Sequence, residues 1–195
     1  MPESPASRKE SPFVLDLKEI RRRARENMEK GAVTPGNRTD PKDVVRVLNE
    51  ALATEIVCVL RYKRHQFMAA GIPSKSVAEE FAEHAKEEQE HADMIAARIT
   101  QLDGEPNFAP EGLATRSHTE YVEGKTLLEM IREDLVAERI AIESYSEIIR
   151  YLGDRDPTTR RMMETILAME EDHAEDMKNL LDRVGSDARV ARARG

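Results

Sequence analysis

Apolar residues recur at steps of three and four along four segments of the chain, approximately residues 41–71, 76–104, 126–153 and 157–185. This spacing places them on one face of an α-helix, the face that packs into a protein core. β-branched residues do not cluster into strand-like runs. The pattern therefore predicts an all-α protein whose residues 41–185 form a four-helix bundle.

The ends of these segments carry residues that start or stop helices. Asp40 and Asp156 each precede a proline, an arrangement typical of a first helical turn. Ser76 and Thr126 are each followed three residues later by Glu, which is the capping-box pattern. The predicted helices end at glycines, namely Gly71, Gly104, Gly153 and Gly185.

The connections between the four segments predict the topology. Only a few residues join the first helix to the second and the third to the fourth, so each pair forms an antiparallel hairpin. About twenty residues, with Pro106, Pro110 and Gly112, separate the two hairpins. Such a strap can reach about 66 Å, which exceeds the length of about 42 Å expected for a helix of about 28 residues. The strap is therefore predicted to cross back along the whole bundle.

Both ends of the chain lie outside this bundle. Residues 1–40 are predicted to be an N-terminal extension with one basic helix over 13–30, whose apolar face contains Phe13, Leu17, Ile20, Ala24 and Met28. Residues 186–195 are predicted to be a polar C-terminal tail.

Polar residues interrupt the middle of each core-facing stripe, where an ordinary bundle has apolar residues. They are Glu55, Glu88 with His91, Glu138, and Glu170 with His173. Four buried carboxylates without partners would each cost several kcal/mol. Two divalent cations would neutralise these carboxylates, so the stripe predicts a two-metal site with all six residues as metal-binding and catalytic residues.

The spacing of these residues supports the same interpretation. Glu88 and His91 form a Glu-x-x-His pair, as do Glu170 and His173, which places carboxylate and imidazole on one helical face. One Glu from each of two helices plus Glu-x-x-His from the other two is the ligand pattern described for di-iron bundles. Carboxylate-rich sites with two histidines suit iron or manganese better than copper or zinc.

Composition and net charge exclude several classes of function. The net charge of −8 argues against a general nucleic-acid or anionic-membrane binder. The single cysteine, Cys58, excludes an internal disulfide framework and is expected to be a small core residue. No apolar run reaches membrane-spanning length, and the first residues do not resemble a secretory signal, so we expect a cytoplasmic protein.

The stretch LNEALATEIVCVLRY, which contains Glu55, resembles the first bundle helix of bacterioferritin-type members of the ferritin-like family. EEQEHAD and EEDHAED resemble the two bridging motifs of that family, and DLVAERIA contains Glu138. The likeness covers residues 41–184. It implies a ferroxidase with two irons per subunit that oxidises Fe(II) with O2 or H2O2 and stores the ferric product in a homo-oligomeric shell.

Two departures from the family pattern change these expectations. Bacterioferritins bind haem through a Met directly after the first bridging Glu, whereas this chain has Gln89 there, so we predict no haem. The larger, 24-subunit ferritins have a short fifth helix, but this chain ends in the polar sequence GSDARVARARG. That ending resembles the twelve-subunit ferritins related to the Dps proteins.

Several other residues have two interpretations. His84 is either an auxiliary metal ligand on the access path or a hydrogen-bonded core histidine. Tyr62 and Tyr145 lie two turns after a predicted ligand; they either donate electrons or a hydrogen bond to that site, or simply pack with satisfied hydroxyls. Asp134 is a candidate acceptor for the ring N–H of a metal-binding histidine, or else a solvated carboxylate.

Arginines near both ends of the chain offer a route to DNA, but the acidic body disfavours it. They are Arg21, Arg22, Arg23, Arg189, Arg192 and Arg194. Pairing with neighbouring glutamates is the preferred interpretation.

Two other functions remain open at the level of sequence. One is a di-metal enzyme that does not store metal, such as a rubrerythrin-like peroxidase or a manganese catalase. The other is a structural bundle recruited to a larger compartment, with a vestigial site.

Overall fold

The computed structural model describes residues 13–69 and 74–193, with side chains in the last helix described as far as residue 186. These residues form four long helices: α2 (Pro41–Met68), α3 (Ser74–Gln101), α5 (Leu127–Leu152) and α6 (Pro157–Ala193). The shorter elements are α1 (Leu17–Arg23), a 3-10 turn (Met28–Lys30) and α4 (Leu113–Arg116). The described part of the chain contains no strand, so the predicted all-α class is confirmed.

The long helices pair as two hairpins, α2 with α3 and α5 with α6. The strap between them, residues 102–126, runs along α2 and is hydrogen-bonded to it at intervals. The Asn49 side chain binds the backbone at Glu105 and Asn107, and the Thr54 hydroxyl accepts from the His118 backbone N–H. Because the strap returns along the bundle before α5 begins, the predicted ferritin-like connectivity is confirmed.

Most predicted helix starts agree with the structure because they depend on local hydrogen bonds. The Asp40 carboxylate accepts from the Lys42 backbone N–H at the start of α2. Thr126 and Glu129 form a complete capping box at the start of α5. The Asp156 carboxylate accepts from the Thr159 N–H and also binds Arg98, which connects the start of α6 to α3.

Four predicted boundaries are wrong. Helix α2 ends at Met68, whereas Gly71, its predicted end, lies outside the described residues. Helix α3 begins at Ser74 and not at the Ser76 capping box, and it ends at Gln101. Shortly after this end, Asp103 and not Gly104 adopts a left-handed conformation, with a φ of 62°. Helix α6 continues through Gly185 to Ala193. The following residues include Ala and Arg, which favour helix, and no proline stops the chain there.

The predicted N-terminal helix over 13–30 is also too long. It ends at Arg23, and Asn27 adopts a left-handed conformation before the 3-10 turn. Phe13 is 89% exposed, and none of the residues of α1 is buried. A short helix without a packed face has little to extend it.

The core consists of two apolar clusters separated by a polar layer. One cluster contains Leu48, Leu52, Ile95, Ile99, Met163 and Ile166. The other contains Tyr62, Phe81, Ile131, Met177 and Leu180. In the part of the chain that the structure describes, no helix is both long and apolar enough to cross a membrane.

Candidate metal centre

The polar layer between the two apolar clusters contains all six residues predicted from the helical stripes. Their side chains are buried: the most exposed of the six residues, His173, is 3% exposed. Helices α2 and α5 contribute one Glu each, and α3 and α6 contribute a Glu and a His each. The six residues are Glu55, Glu88, His91, Glu138, Glu170 and His173.

The six side chains form two overlapping groups of four possible ligands. One consists of Glu55, Glu88, His91 and Glu170, and the other of Glu88, Glu138, Glu170 and His173. Within each group, one ligand atom from each residue lies within 4.8 Å of the others. Because Glu88 and Glu170 belong to both groups, the arrangement is that of two neighbouring cation positions with two shared carboxylates.

The two histidines present the same ring nitrogen to the centre. Nδ1 of His91 lies 3.0 Å from Glu170 and 3.4 Å from Glu55, and Nδ1 of His173 lies 3.5 Å from both Glu88 and Glu170. Nε2 of His173 binds the Glu87 carboxylate at 2.9 Å. A proton on Nε2 for this bond leaves Nδ1 as the ligand atom.

Seven buried ligand-type atoms in this layer have no hydrogen-bond partner. They are Nδ1 of both histidines, Oε2 of Glu55, Oε1 of Glu88, Oε2 of Glu138, and both carboxylate oxygens of Glu170. Buried polar atoms in native proteins are nearly always satisfied, so seven such atoms facing one another need protons or cations between them. Cations fit this requirement, because every atom in the set is a potential lone-pair donor to metal.

Two tyrosines distinguish the outer carboxylates from the shared ones. The Tyr145 hydroxyl donates to Oε1 of Glu55, and the Tyr62 hydroxyl donates to Oε1 of Glu138. Each of these carboxylates therefore has one oxygen held by a tyrosine and one orphan oxygen. Glu170, by contrast, has two orphan oxygens, as a carboxylate that contacts two cations needs.

The carboxylates repel one another when no cation is present. Burial, followed by the charges of Glu170 and Glu88, raises the pKa of Glu55 well above 4.5. Burial and the charges of the same two residues raise the pKa of Glu138 well above 4.5. Without a cation, the layer therefore favours the protonated form of these two carboxyl groups.

The same carboxylates favour the charged form of the two histidines. Burial alone lowers the pKa of His173, but the adjacent Glu170 and Glu88 outweigh it and raise the pKa to about 11. The pKa of His91 is likewise raised well above its usual value, since Glu170, Glu55 and Glu88 outweigh the effect of burial. The metal-free layer thus binds protons where cations would bind, and metal binding must displace them.

His84 lies beside this layer, one turn before Glu88. Its ring stacks on His173 with centroids 4.1 Å apart, and its Nδ1 lies 3.2 Å from the Tyr62 hydroxyl. Burial, followed by the positive charge of His173, lowers the pKa of His84 to about 3, so the ring is neutral.

Asp134 does not meet a metal-binding histidine as the sequence suggested. Its carboxylate binds Nε of Arg61 at 2.8 Å and Nδ1 of His65 at 2.8 Å. Arg61 and His65 also donate to the strap carbonyls of Glu120 and Glu123, respectively. Asp134 therefore connects α5 to α2, and both partners connect α2 to the strap.

Sequence reasoning missed Arg61, His65 and Glu87. His65 continues the α2 stripe three residues beyond Tyr62, so its spacing is a usable signal. Glu87 directly precedes the first Glu-x-x-His motif, but nothing local indicates that it contacts His173. Arg61 interrupts no pattern; its burial is visible only in three dimensions.

Two other residues singled out in the sequence, Cys58 and Gln89, are not part of either ligand group. Cys58 is buried, with its Sγ 3.8 Å from the Thr119 hydroxyl, and burial raises the pKa of its thiol. Gln89 is exposed on α3, where its amide donates to Asp93.

The structure describes the side chains of the N-terminal arginine run but not those of the C-terminal arginines. Arg22 and Arg23 pair with Glu19, as preferred for this run. The side chains of Arg189 and Arg192, and all of Arg194, lie outside the described residues.

Comparison with known proteins agrees with this geometry. The Ferritin-like domain family matches residues 45–185. The bacterioferritin of Mycobacterium leprae (strain TN) is 31% identical over 147 residues, which make up 75% of this chain and 87% of that relative.

Solved structures show the same likeness. The dodecameric thioferritin characterised as the bacterioferritin-related protein from Bacteroides fragilis has 30% identity and a TM-score of 0.74, over 78% of this chain and 92% of that one. A mycobacterial bacterioferritin has 32% identity and a TM-score of 0.66, over 80% of this chain and 94% of that one. The chain therefore belongs to the ferritin-like superfamily and is a protein of the bacterioferritin type.

Proposed function

We propose that this protein is a dinuclear ferroxidase that stores iron. Glu55 and His91 hold one Fe(II), and Glu138 and His173 hold the other, while Glu88 and Glu170 contact both. The single observation that carries this proposal is the set of seven buried, unpartnered ligand atoms in one layer. Four carboxylates also match the charge of two divalent cations, so the occupied site is neutral overall.

Two Fe(II) ions held together supply the two electrons that the reaction needs. Each iron loses one electron to become Fe(III). With two protons, O2 is reduced to H2O2, or H2O2 is reduced to two molecules of water. Tyr62 and Tyr145 support this chemistry by holding one oxygen of each outer carboxylate, which leaves the other oxygen for iron.

Storage requires a shell, and we propose a homo-oligomeric one. The structure from Bacteroides fragilis, which is described as dodecameric, supports assembly into twelve copies. The position after the first bridging Glu is occupied by Gln89, so we propose no haem site at this position. Neither DNA nor a membrane is a proposed partner.

The test is to load metal-free protein with increasing Fe(II) in air and follow ferric absorbance per chain. Growth well beyond two irons per chain, in soluble iron-filled particles, is the expected result. Glu88→Ala should abolish fast oxidation, since Glu88 belongs to both ligand groups. Glu90→Ala is the matched control, because Glu90 lies two residues away and pairs with Lys86 on the surface.

Other outcomes would identify the alternatives. Saturation at two irons per chain would indicate a redox enzyme that does not store metal, and peroxide turnover with iron or manganese would then be measured. Binding of no metal at all would contradict the proposal and leave a structural bundle.

A further inference from the structure

A second group of ligand-type side chains lies beside the metal centre, toward the surface. Glu80 and His84 lie one turn apart on α3, and Asp176 lies on α6, three residues after His173. Nε2 of His84 is 3.8 Å from the Glu80 carboxylate and 3.7 Å from the Asp176 carboxylate. These separations are too long for hydrogen bonds. They are close to the distance of about 3.5 Å between two ligands of one tetrahedral ion whose bonds are about 2.1 Å.

The hydrogen bonds of Tyr62 determine which nitrogen of His84 faces this group. The only hydroxyl proton of Tyr62 goes to Glu138, so the Tyr62 oxygen is an acceptor toward Nδ1 of His84, 3.2 Å away. Nδ1 therefore has the ring proton. The ring is 2% exposed. The lone pair is then on Nε2, which points at two carboxylates.

Nε2 of His84 and the two carboxylates thus converge at separations longer than a hydrogen bond. The carboxylates also interact unfavourably with each other: burial, followed by the charges of Asp176 and Glu83, raises the pKa of Glu80, whereas the charge of Arg183 lowers it. A histidine nitrogen with two carboxylates is a ligand set that suits divalent first-row metals. The group is partly open, since the side chain of Glu80 is 33% exposed and that of Asp176 is 50% exposed.

We propose that Glu80, His84 and Asp176 form a third metal site, which binds one divalent cation and delivers Fe(II) to the dinuclear centre. His84 also belongs to a group with Glu87 and His173, whose ligand atoms lie within 4.8 Å of one another. Possible ligands therefore continue from the surface to His173 without a break. The binding of a cation at this site is independent of the proposed function, whereas the delivery step rests on it.

Cobalt(II) tests the site without oxidation. Crystals of the full chain soaked in CoCl2 should show an anomalous peak among Glu80, His84 and Asp176, in addition to two peaks in the centre. Titration calorimetry should show at least tenfold weaker binding at the third site in Glu80→Gln/Asp176→Asn, since loss of ligand support typically costs 10- to 100-fold in affinity. This variant leaves the buried His84 and the core unchanged. Glu90→Gln, on the exposed face of α3, is the control.

The delivery step has a separate measurement. In Glu80→Gln/Asp176→Asn, the initial rate of Fe(II) oxidation at low Fe(II) should fall about tenfold, because the local concentration of iron is lost. The two-iron stoichiometry of the centre should stay unchanged. An unchanged rate would overturn the delivery step.

The outcomes separate this inference from the proposed function. Glu55→Gln/Glu138→Gln should weaken the two central cobalt peaks and retain the third. Absence of a peak at Glu80, His84 and Asp176 in the wild-type protein would overturn the third site, whatever the centre binds. A third peak without central peaks would support the site while contradicting the dinuclear ferroxidase.

Discussion

Replacing Glu55 with Gln should stabilise the metal-free protein while weakening its metal site. Glu55 is 1% exposed, and burial with the charges of Glu170 and Glu88 raises its pKa well above 4.5. The folded protein therefore favours the protonated form of Glu55 more strongly than the unfolded chain does. Gln has nearly the same shape and no charge, and its carbonyl oxygen can still accept the Tyr145 hydrogen bond.

The size of the effect follows from pH linkage. A carboxyl group whose pKa is raised in the folded state binds more protons there than in the unfolded state. Stability is therefore lost as the pH rises above 4.5, by about 1.4 kcal/mol per pH unit. Between pH 4.5 and pH 7 the loss reaches at most about 3.4 kcal/mol. The variant lacks this loss, so the two stability curves should coincide near pH 4.5 and diverge toward pH 7.

The assay is urea denaturation of metal-free wild-type protein and Glu55→Gln from pH 4.5 to 7.5, at one protein concentration because the assembly contributes to stability. Glu138→Gln should behave in the same way, since its pKa is raised by burial and the same two charges. Glu90→Gln, an exposed change, should give parallel curves. A difference between wild type and Glu55→Gln that is constant across pH would refute the reasoning. So would a variant less stable than wild type at pH 7.

Three further predictions follow from the buried contacts. Arg61→Met should lower the free energy of unfolding by about 3 kcal/mol, because it leaves His65 as the remaining partner of the buried Asp134 carboxylate. Adding Asp134→Leu should recover part of this loss in urea denaturation, and no recovery would show that the ion pair is not the cause. Tyr145→Phe should weaken cobalt(II) binding about 10- to 100-fold by calorimetry, since the Glu55 carboxylate loses the hydrogen bond that fixes its Oε1. Tyr151→Phe, at a partly exposed position, should leave the affinity unchanged. Equal affinities of Tyr145→Phe and the wild type would contradict the role of this tyrosine. Metal binding at pH 7 should release protons, because the pKa of His173 is about 11 without metal. The affinity for metal should therefore rise from pH 6 to pH 8. Heats of binding that are identical in buffers of different ionisation enthalpy would contradict this release of protons.

The sequence was sufficient for the parts of the structure that depend on local chemistry and helical periodicity. The six core-register residues could be assigned to one layer because each lies in a stripe that is apolar at both ends. The starts of α2, α5 and α6 were predictable because Asp40, Thr126 and Asp156 bond to residues two or three positions away.

The remainder depends on packing between residues distant in the chain. Arg61 and Asp134 are 73 residues apart, and their pairing exists only because α2 meets α5 beneath the strap. The predicted end of α1 is wrong because none of the residues of this helix is buried, so no packed face determines its length. Each tyrosine donates its hydrogen bond to a carboxylate in the other hairpin, Tyr62 to Glu138 and Tyr145 to Glu55. These contacts likewise cannot be read from the sequence.

The most direct test of the central claim is crystallographic. Crystals of metal-free protein would be soaked anaerobically in Fe(II), and anomalous differences recorded on both sides of the iron absorption edge. Two iron positions are expected in the polar layer of each chain, one bound by Glu55 and His91 and the other by Glu138 and His173. Both should contact Glu88 and Glu170. A single iron in this layer, or iron bound without these two shared carboxylates, would contradict it.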